Sequence, residues 1–171
     1  SDTAVLCLPV KYIAGKMMVV RAFVAQLNLL LIEPKTNPDF SNLGEIDFCA
    51  MVPMQAANLI EQNLWPDLKT LILGGAETNT KLKEQLQGLK TEVFETYGMA
   101  ETCSHIALKR LTGLQQEDCF TALPNIDLSV DERGCLVINA SFLSEEISTN
   151  DCVELVSWNK FKWLGRFDIV I

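Results

Sequence analysis

The stretch Leu68–Gly98, LKTLILGGAETNTKLKEQLQGLKTEVFETYG, decides the fold class of this 171-residue chain. It begins with an apolar run that stops at two glycines, continues with apolar residues at helical spacing, and ends in a second strand-like run. A strand, a helix and a strand in succession form a βαβ unit, so the two strands are predicted to lie parallel in one sheet.

The chain before this stretch repeats the same pattern. We expect strands in TAVLCLP, NLLLIEP and IDFCAMVP, and helices in GKMMVVRAFVAQL and MQAANLIEQNL. Continuous apolar strands are typical of a parallel sheet that is covered on both faces. The segment MMVVRAFVAQLNLLLI contains Arg21, Gln26 and Asn28, so it predicts a buried helix leading into a buried strand, not a membrane span. The helix in TNTKLKEQLQGL is predicted to begin at a threonine cap.

The pattern changes near Gln115 to short strands and turns, with a hairpin predicted around Asp131–Gly134. We therefore predict an α/β fold: a mostly parallel, helix-covered sheet subdomain in residues 1–115, then a smaller β-rich subdomain in residues 116–171. The final residues, FDIVI, stop inside an apolar run. Natural proteins avoid exposing such an edge, so we expect a piece of a larger protein.

Charge and cysteine content argue against two classes of function, nucleic-acid binding and zinc binding. A net charge of -8 argues against a nucleic-acid partner, which would need clustered cations. The six cysteines form no CxxC pair and there is one histidine, so we expect reduced, buried thiols in a cytoplasmic protein and no zinc site. No signal peptide is recognisable. The oligomeric state, a homo-oligomer included, stays open.

Three motifs carry residues suited to chemistry. The glycines of LILGGAE allow a ligand to approach the backbone. In YGMAE, Tyr97 offers a flat face and Glu101 a carboxylate oxygen for Mg²⁺. Asp151, with the arginine of GRFD, could hold ribose hydroxyls. Taken alone, each motif also fits a structural role, as a strand-to-helix turn, a surface loop, or a turn aspartate and a surface arginine.

The order of the motifs is more informative than any one of them. LPxxxxxG, GGA, YGMxET, a lone aspartate and GRxD resemble the adenylate-forming family of acyl-CoA synthetases, adenylation domains and luciferases, over nearly the whole chain. YGMAETCSHIALKRL and FCAMVPMQAANLI are most similar to the o-succinylbenzoate–CoA ligases of menaquinone biosynthesis. The resemblance implies a large-domain fragment of a ligase that uses ATP, Mg²⁺ and coenzyme A. It would adenylate a carboxylic acid and then transfer the acyl group to coenzyme A.

The resemblance also implies roles for individual residues. Tyr97 would stack on adenine, Glu101 would bind Mg²⁺, Asp151 and Arg166 would hold the ribose, and Asp168 would be the hinge to a C-terminal domain. The full expected set is Gly74, Gly75, Ala76, Tyr97, Gly98, Met99, Ala100 and Asp151 for the nucleotide, Glu101, Arg166 and Asp168 for catalysis, and Tyr12, Arg21 and Ser104 for the acid.

One of these residues has an equally plain alternative. Arg21 lies nine positions after Tyr12 and could meet the second carboxylate of succinylbenzoate, but it could also be a snorkelling arginine at a helix edge. Ser104 could line the acyl pocket, whereas His105 is interpreted as a satisfied, partly buried imidazole.

The sequence departs from the family pattern at several points. Ala100 replaces the usual threonine of YGMTE, a loss of about 1 kcal/mol of phosphate binding. Tyr12 replaces a histidine, and Asn150 replaces a glycine. The phosphate loop and the lysine-bearing C-terminal domain of the family are absent, so the piece is expected to be inactive alone. Two alternatives stay open: a ligase or adenylation domain for another aryl or acyl acid, and a degenerate, non-catalytic α/β binding module.

Overall fold

The computed structural model of the chain describes residues 2–167. They form two compact units, Ser1–Glu95 with Arg110–Gln116, and Thr96–Lys109 with Glu117–Ile171. The structure thus groups residues 96–109 with the second unit, and the sequence-based division at residues 115 and 116 stays a prediction. Each unit has its own apolar core.

The first unit is a parallel sheet with three helices, as the βαβ pattern predicts. Its strands run in the order β2-β1-β3-β4-β5, and every adjacent pair is parallel. The strands are β1 (Thr3–Leu6), β2 (Asn28–Leu31), β3 (Ile46–Met51), β4 (Leu68–Leu73) and β5 (Glu92–Gly98); the helices are α1 (Ile13–Ala25), α2 (Pro53–Glu61) and α3 (Thr80–Leu86). The last three residues of β5 belong to the second unit.

The core of the first unit joins the middle strands to the helices. Leu71 of β4 and Val93 of β5 are fully buried with Leu59 of α2 and Leu86 of α3. Each such side chain contributes about 1.5–3 kcal/mol relative to exposure. The cap of α3 is Asn79, whose side chain accepts a hydrogen bond from the Leu82 amide at 2.8 Å, so the predicted threonine cap is wrong.

The expectation of a buried α1 and a buried β2 is also wrong. Phe23 and Val24 of α1 are 85% and 75% exposed, and Leu31 of β2 is 71% exposed. Strand β2 stands at the end of the strand order and pairs with β1 alone, so part of its apolar surface has no covering element among residues 2–167. Apolar composition reports what could be buried and cannot say which face finds a partner. Within residues 2–167 no helix has the length and apolar character to cross a membrane.

The second unit is an antiparallel sheet, which confirms the predicted β-rich segment. Its strand order is β6-β7-β11-β10-β9-β8. The strands are β6 (His105–Arg110, whose last residue belongs to the first unit), β7 (Phe120–Ala122), β8 (Ile126–Val130), β9 (Cys135–Ala140), β10 (Ile147–Ser157) and β11 (Lys160–Arg166). Its core includes Ile106, Phe120, Leu136 and Phe161.

The predicted hairpin joins β8 to β9 and is organised by one carboxylate. Asp131 Oδ1 accepts hydrogen bonds from the Arg133 and Cys135 amides at 2.9 and 3.0 Å, and Oδ2 accepts one from Arg133 Nε at 2.8 Å. The bond from the Cys135 amide, followed by the contacts with Arg133, holds the pKa of Asp131 below its ordinary value of 3.8.

This pKa shift predicts how the hairpin responds to pH. A carboxyl group whose folded-state pKa is depressed stabilises the fold above its unfolded pKa, and this stabilisation disappears as pH falls through the folded pKa. We expect Asp131→Asn to be less stable than the parent at neutral pH and equally stable well below pH 3.8. Urea unfolding at both pH values measures this. Glu132→Gln, an exposed carboxylate in the same turn, is the control; an equal loss there would contradict the role of Asp131.

The six thiols are free but not all buried. Cys7, Cys49 and Cys135 are buried, Cys119 and Cys152 are partly exposed, and Cys103 is exposed. The expectation of buried cysteines is therefore wrong at Cys103, which lies in an irregular loop with positive φ.

Candidate functional site

A buried carboxylate on β10 organises a polar cluster in the second unit. Asp151 is 8% exposed and accepts hydrogen bonds from the Tyr97 hydroxyl at 2.7 Å and from Trp163 Nε1 at 3.2 Å. Arg166 Nη1 lies 3.9 Å from the same carboxylate. The Asp151 amide donates to the hydroxyl of Thr149, two residues earlier on the strand. We call these five residues the Asp151 cluster.

Strand pairing explains how distant parts of the chain meet here. Asp151 stands directly opposite Arg166 in the β10–β11 pair, and the register shifts immediately afterwards, between Cys152 and Val153. Such bulges bend a strand and redirect side chains. Burial alternates along this part of β10, so Thr149 and Asp151 face inward together. The predicted hinge residue, Asp168, lies outside the described residues.

Tyr97 is held rigidly at the end of β5. Its ring meets Phe161 edge-on with centroids 5.0 Å apart and lies tilted against Phe120 at 5.8 Å. Burial, followed by the hydrogen bond to Asp151, raises the pKa of the Tyr97 hydroxyl well above its ordinary value. The phenol therefore stays protonated and acts as a donor to the carboxylate. Stacking of Tyr97 on adenine stays a prediction.

The loop after Tyr97 is closed by a threonine. The Thr102 hydroxyl accepts a hydrogen bond from the Met99 amide at 3.0 Å and lies 2.7 Å from the Ser104 carbonyl, to which it can donate. Gly98 is required because a Cβ there would collide with the backbone of Ser104 and His105. The loop thus turns back sharply and leaves Ala100 and Glu101 exposed at its tip.

Glu101 fits one mode of magnesium binding. Its exposed carboxylate is a suitable oxygen ligand, and Mg²⁺ is often held by one or two carboxylates together with substrate phosphates. Among the residues described, no three acidic, histidine or cysteine side chains cluster as a metal site. A magnesium ion at Glu101 would therefore take its remaining ligands from phosphate oxygens and water.

The predicted glycine loop lies in the first unit, between β4 and α3. Gly74 donates its amide to the Met51 carbonyl at 3.2 Å, and Gly75 has a φ of 82°, a left-handed conformation that favours glycine. The loop is anchored at its far end, where the buried Thr78 amide donates to Glu95 Oε1 at 2.6 Å. Glu95 belongs to β5 and is 3% exposed, so a buried carboxylate secures the loop.

This anchor predicts a measurable cost on removal. Glu95→Ala deprives the buried Thr78 amide of its acceptor, and leaving a buried donor unpaired costs about 1–3 kcal/mol. We expect that loss in urea unfolding, together with faster hydrogen exchange at the Thr78 amide. Glu95→Gln keeps an acceptor oxygen and should restore slow exchange. Unchanged exchange at Thr78 in the alanine variant would show that the carboxylate does not hold the loop.

Two of the residues predicted to bind the acid, Tyr12 and Arg21, belong to the first unit. Tyr12 caps the start of α1 and is 60% exposed. Arg21 lies on the same helix, with its guanidinium 5.3 Å from the centre of the Phe48 ring and Nη1 3.2 Å from Met18 Sδ. Burial lowers the pKa of Arg21, and within residues 2–167 it forms no ion pair with a carboxylate. A half-buried cation with no carboxylate partner among the described residues can receive an anion.

Ser104, the third residue predicted to bind the acid, is the neighbour of His105. Ser104 Oγ lies 3.4 Å from His105 Nδ1, and both residues are partly buried. The structure therefore places His105 in a local hydrogen-bonding role at the start of β6, in line with its interpretation as a satisfied imidazole.

Only some of the residues in this arrangement were predicted from the sequence. The structure unites the predicted residues Tyr97, Asp151 and Arg166, whereas Trp163, Thr149, Thr102 and Glu95 were missed. A usable signal existed for Glu95 alone, because it lies inside the strand-like run VFETYG, where a carboxylate that faces the core needs a hydrogen-bonding partner.

Comparison with known proteins finds similar sequences and similar structures. No protein-family model matches the chain. It is 26% identical over 113 residues to the 2-succinylbenzoate–CoA ligase of Bacillus cereus, which covers 61% of this chain and 23% of that enzyme. It is 28% identical over 102 residues to the enzyme of the same name from Staphylococcus epidermidis, covering 57% and 22%. The chain thus spans less than a quarter of the length of these relatives.

Solved structures match a larger share of this chain than the curated relatives do. An acyl-CoA synthetase (AMP-forming)/AMP-acid ligase II-like protein from Dyadobacter fermentans has a TM-score of 0.88 and 40% identity, covering all of this chain and 50% of its own. The o-succinylbenzoate coenzyme A synthetase of Bacillus subtilis in complex with ATP and magnesium ion has a TM-score of 0.82 at 19% identity, covering 99% and 42%, which shows the shared fold. The chain therefore resembles AMP-forming acyl-CoA synthetases in sequence and fold, and it spans half or less of the length of each of these proteins.

Proposed function

We propose that this chain forms the acid- and adenosine-binding part of an acid–CoA ligase. The whole protein would use ATP to adenylate a carboxylic acid and then transfer the acyl group to coenzyme A. The observation that carries the proposal is the Asp151 cluster, because it places the motif tyrosine, the lone aspartate and the GRxD arginine of the family in mutual contact.

The cluster suits a ribose. An ionised carboxylate offers roughly four acceptor positions, and donors from Tyr97 and Trp163 occupy part of that capacity. The remaining positions can accept hydrogen bonds from vicinal hydroxyls. Arg166, with a side chain 45% exposed, can reach ribose or phosphate oxygens from the edge of the cluster. In this proposal Tyr97, Asp151 and Arg166 of the second unit bind AMP, and Gly98, Met99 and Ala100 contribute backbone. Gly74–Ala76 of the first unit are proposed to contact the nucleotide through the resemblance to the family alone.

Magnesium and coenzyme A enter the proposal through the family. Mg²⁺, when bound, would neutralise charge on the ATP phosphates, and Glu101 is the residue proposed to hold it. Coenzyme A would supply the thiol that displaces AMP. Ala100 lacks the hydroxyl of the family threonine, so the phosphates would be held by one hydrogen bond fewer. Asp168 is proposed as the hinge to the C-terminal domain. The protein is also proposed to be cytoplasmic.

The acid is proposed to be o-succinylbenzoate. Both curated relatives carry the name of that ligase. Arg21 supports a dicarboxylate, because it is a half-buried cation that gains by pairing with an anion. Tyr12 and Ser104 are proposed to line the acyl chain. Another aryl or acyl acid is the competing assignment, and comparison of o-succinylbenzoate with benzoate and a simple fatty acid decides between them.

Pyrophosphate–ATP exchange tests the reaction. The protein encoded by the whole reading frame should show exchange that depends on o-succinylbenzoate, and this 171-residue chain should show none. Robust exchange by the chain alone would contradict the proposal that it forms only a part of the ligase. The second candidate, a non-catalytic binding module, is favoured by Ala100; it predicts AMP binding without exchange even in the whole protein.

A further inference from the structure

Two pairs of cysteines bring their sulfur atoms close together. Cys7 and Cys49 are 3.8 Å apart, and Cys135 and Cys152 are 3.9 Å apart. The two pairs differ in access. Cys7 and Cys49 are both fully buried, whereas Cys152 is partly exposed beside a fully buried Cys135. A dissolved reagent can therefore reach the second pair without opening the core.

Strand geometry also favours the second pair. Cys135 and Cys152 are direct cross-strand neighbours on β9 and β10. The Val153 amide donates to the Gly134 carbonyl at 3.1 Å, the bond that flanks a non-hydrogen-bonded antiparallel pair. In such a pair the Cα atoms are about 4.5 Å apart and the side chains approach closely. Disulfides span Cα separations of about 4.4–6.8 Å, so this pair can close with the strands still paired.

The buried pair lacks this register. Cys49 stands opposite Val5 in the parallel β1–β3 pair, so Cys7 is offset from it by two positions. The Cys7–Cys49 pair is therefore a matched internal control, with nearly the same sulfur separation but neither access nor cross-strand alignment.

We infer that Cys135 and Cys152 form an oxidisable dithiol, a modification site for low-molecular-weight disulfides such as glutathione disulfide. The Cys152 thiolate attacks one sulfur of the oxidant, forming a mixed disulfide and releasing one glutathione thiolate. The Cys135 thiol then loses its proton and attacks the Cys152 sulfur, which releases the second glutathione. Two protein thiols are oxidised by two electrons, and the glutathione disulfide is reduced to two thiols.

The surroundings of the two cysteines favour Cys152 as the first to react and Cys135 as the second. Burial, followed by the contact with Cys152, raises the pKa of the Cys135 thiol, so the more exposed Cys152 makes the first attack. Arg133 lies beside the pair, bound to Asn150 Oδ1 at 2.9 Å and to the Thr149 carbonyl at 3.0 Å. A neighbouring cation favours the thiolate form of a cysteine.

The site is adjacent to the Asp151 cluster. Cys152 directly follows Asp151 on β10, on the opposite side of the strand. Bond formation would draw the sulfurs from 3.9 Å to about 2.05 Å and act on the strand segment that presents the carboxylate. The inference itself requires no nucleotide binding, so it stands or falls independently of the proposed function.

Thiol mapping after oxidation tests the site. The chain carrying Cys103→Ser, which removes the exposed thiol, is treated with glutathione disulfide, quenched with acid, alkylated under denaturing conditions and mapped by mass spectrometry. We expect a linked Cys135–Cys152 peptide, a loss of two hydrogens, and full reversal by a dithiol reductant. Cys152→Ser and Cys135→Ala should each abolish the link, and Cys7→Ser should leave it intact.

Three outcomes would overturn the inference. The link could fail to form while Cys135 and Cys152 stay alkylatable, Cys152 could stop as a mixed disulfide with glutathione, or Cys7–Cys49 could oxidise equally fast. Cys152→Ser replaces a partly exposed residue and is expected to fold, and circular dichroism of each variant checks that the fold is kept.

Discussion

Asp151→Ala should weaken AMP binding by about 10- to 100-fold. Hydrogen bonds to a charged group contribute about 1.5–3 kcal/mol each, and about 1.4 kcal/mol corresponds to a tenfold change in affinity. The variant removes the carboxylate proposed to bind the ribose, and it also leaves the Tyr97 hydroxyl and Trp163 Nε1 without their acceptor. Calorimetric titration with AMP measures the loss of affinity, and urea unfolding measures the structural cost.

Two further variants separate binding from structure. Asp151→Asn keeps the shape and one acceptor oxygen but loses the charge, so it should recover most of the stability and little of the AMP affinity. Tyr97→Phe removes one donor to the Asp151 carboxylate and should cost about 1.5–3 kcal/mol of stability. Asp127→Ala, at an exposed carboxylate of β8, is the matched control and should change neither quantity. AMP affinity unchanged by Asp151→Ala would refute the ribose assignment.

The sheet of the first unit could be predicted because its signals are local. Apolar runs bounded by glycine and proline define strands, and the intervening helices require parallel pairing. The burial of α1 and β2 could not be predicted in the same way. Phe23 and Leu31 look like core residues in the sequence, but exposure depends on which neighbours pack against them, and among residues 2–167 β2 pairs on one side only.

The Asp151 cluster marks the limit of sequence reasoning at the site. Motif order indicated Tyr97, Asp151 and Arg166, although 54 positions separate the tyrosine from the aspartate. Their contact depends on the register of β10 and β11, which is set by long-range pairing and a bulge. Trp163 belongs to no motif, and nothing in its local sequence shows that its indole would face a carboxylate.

Truncation of the aromatic core that packs against Tyr97 is expected to cause the largest loss of stability. Phe161 is fully buried on β11, stacked on Phe120 with centroids 5.4 Å apart and in edge contact with Tyr97 at 5.0 Å. Phe161→Ala opens a cavity in this core, and such truncations cost about 3–5 kcal/mol. Because the Tyr97 ring loses a wall, its hydroxyl should also hold Asp151 less firmly, and AMP affinity should fall together with stability.

Phe161→Leu distinguishes volume from aromatic contact. It fills most of the cavity, so the loss of unfolding free energy should shrink to below about 1.5 kcal/mol, as for other apolar exchanges of similar volume. Phe142→Ala, at a side chain 56% exposed in the same unit, should cost about 0.5 kcal/mol or less. Equal losses for Phe161→Ala and Phe142→Ala would mean that Phe161 does not anchor this core. Normal AMP affinity in a destabilised but folded Phe161→Ala protein would mean that the hydrogen bond to Asp151 and the contact with Phe120 position Tyr97 without Phe161.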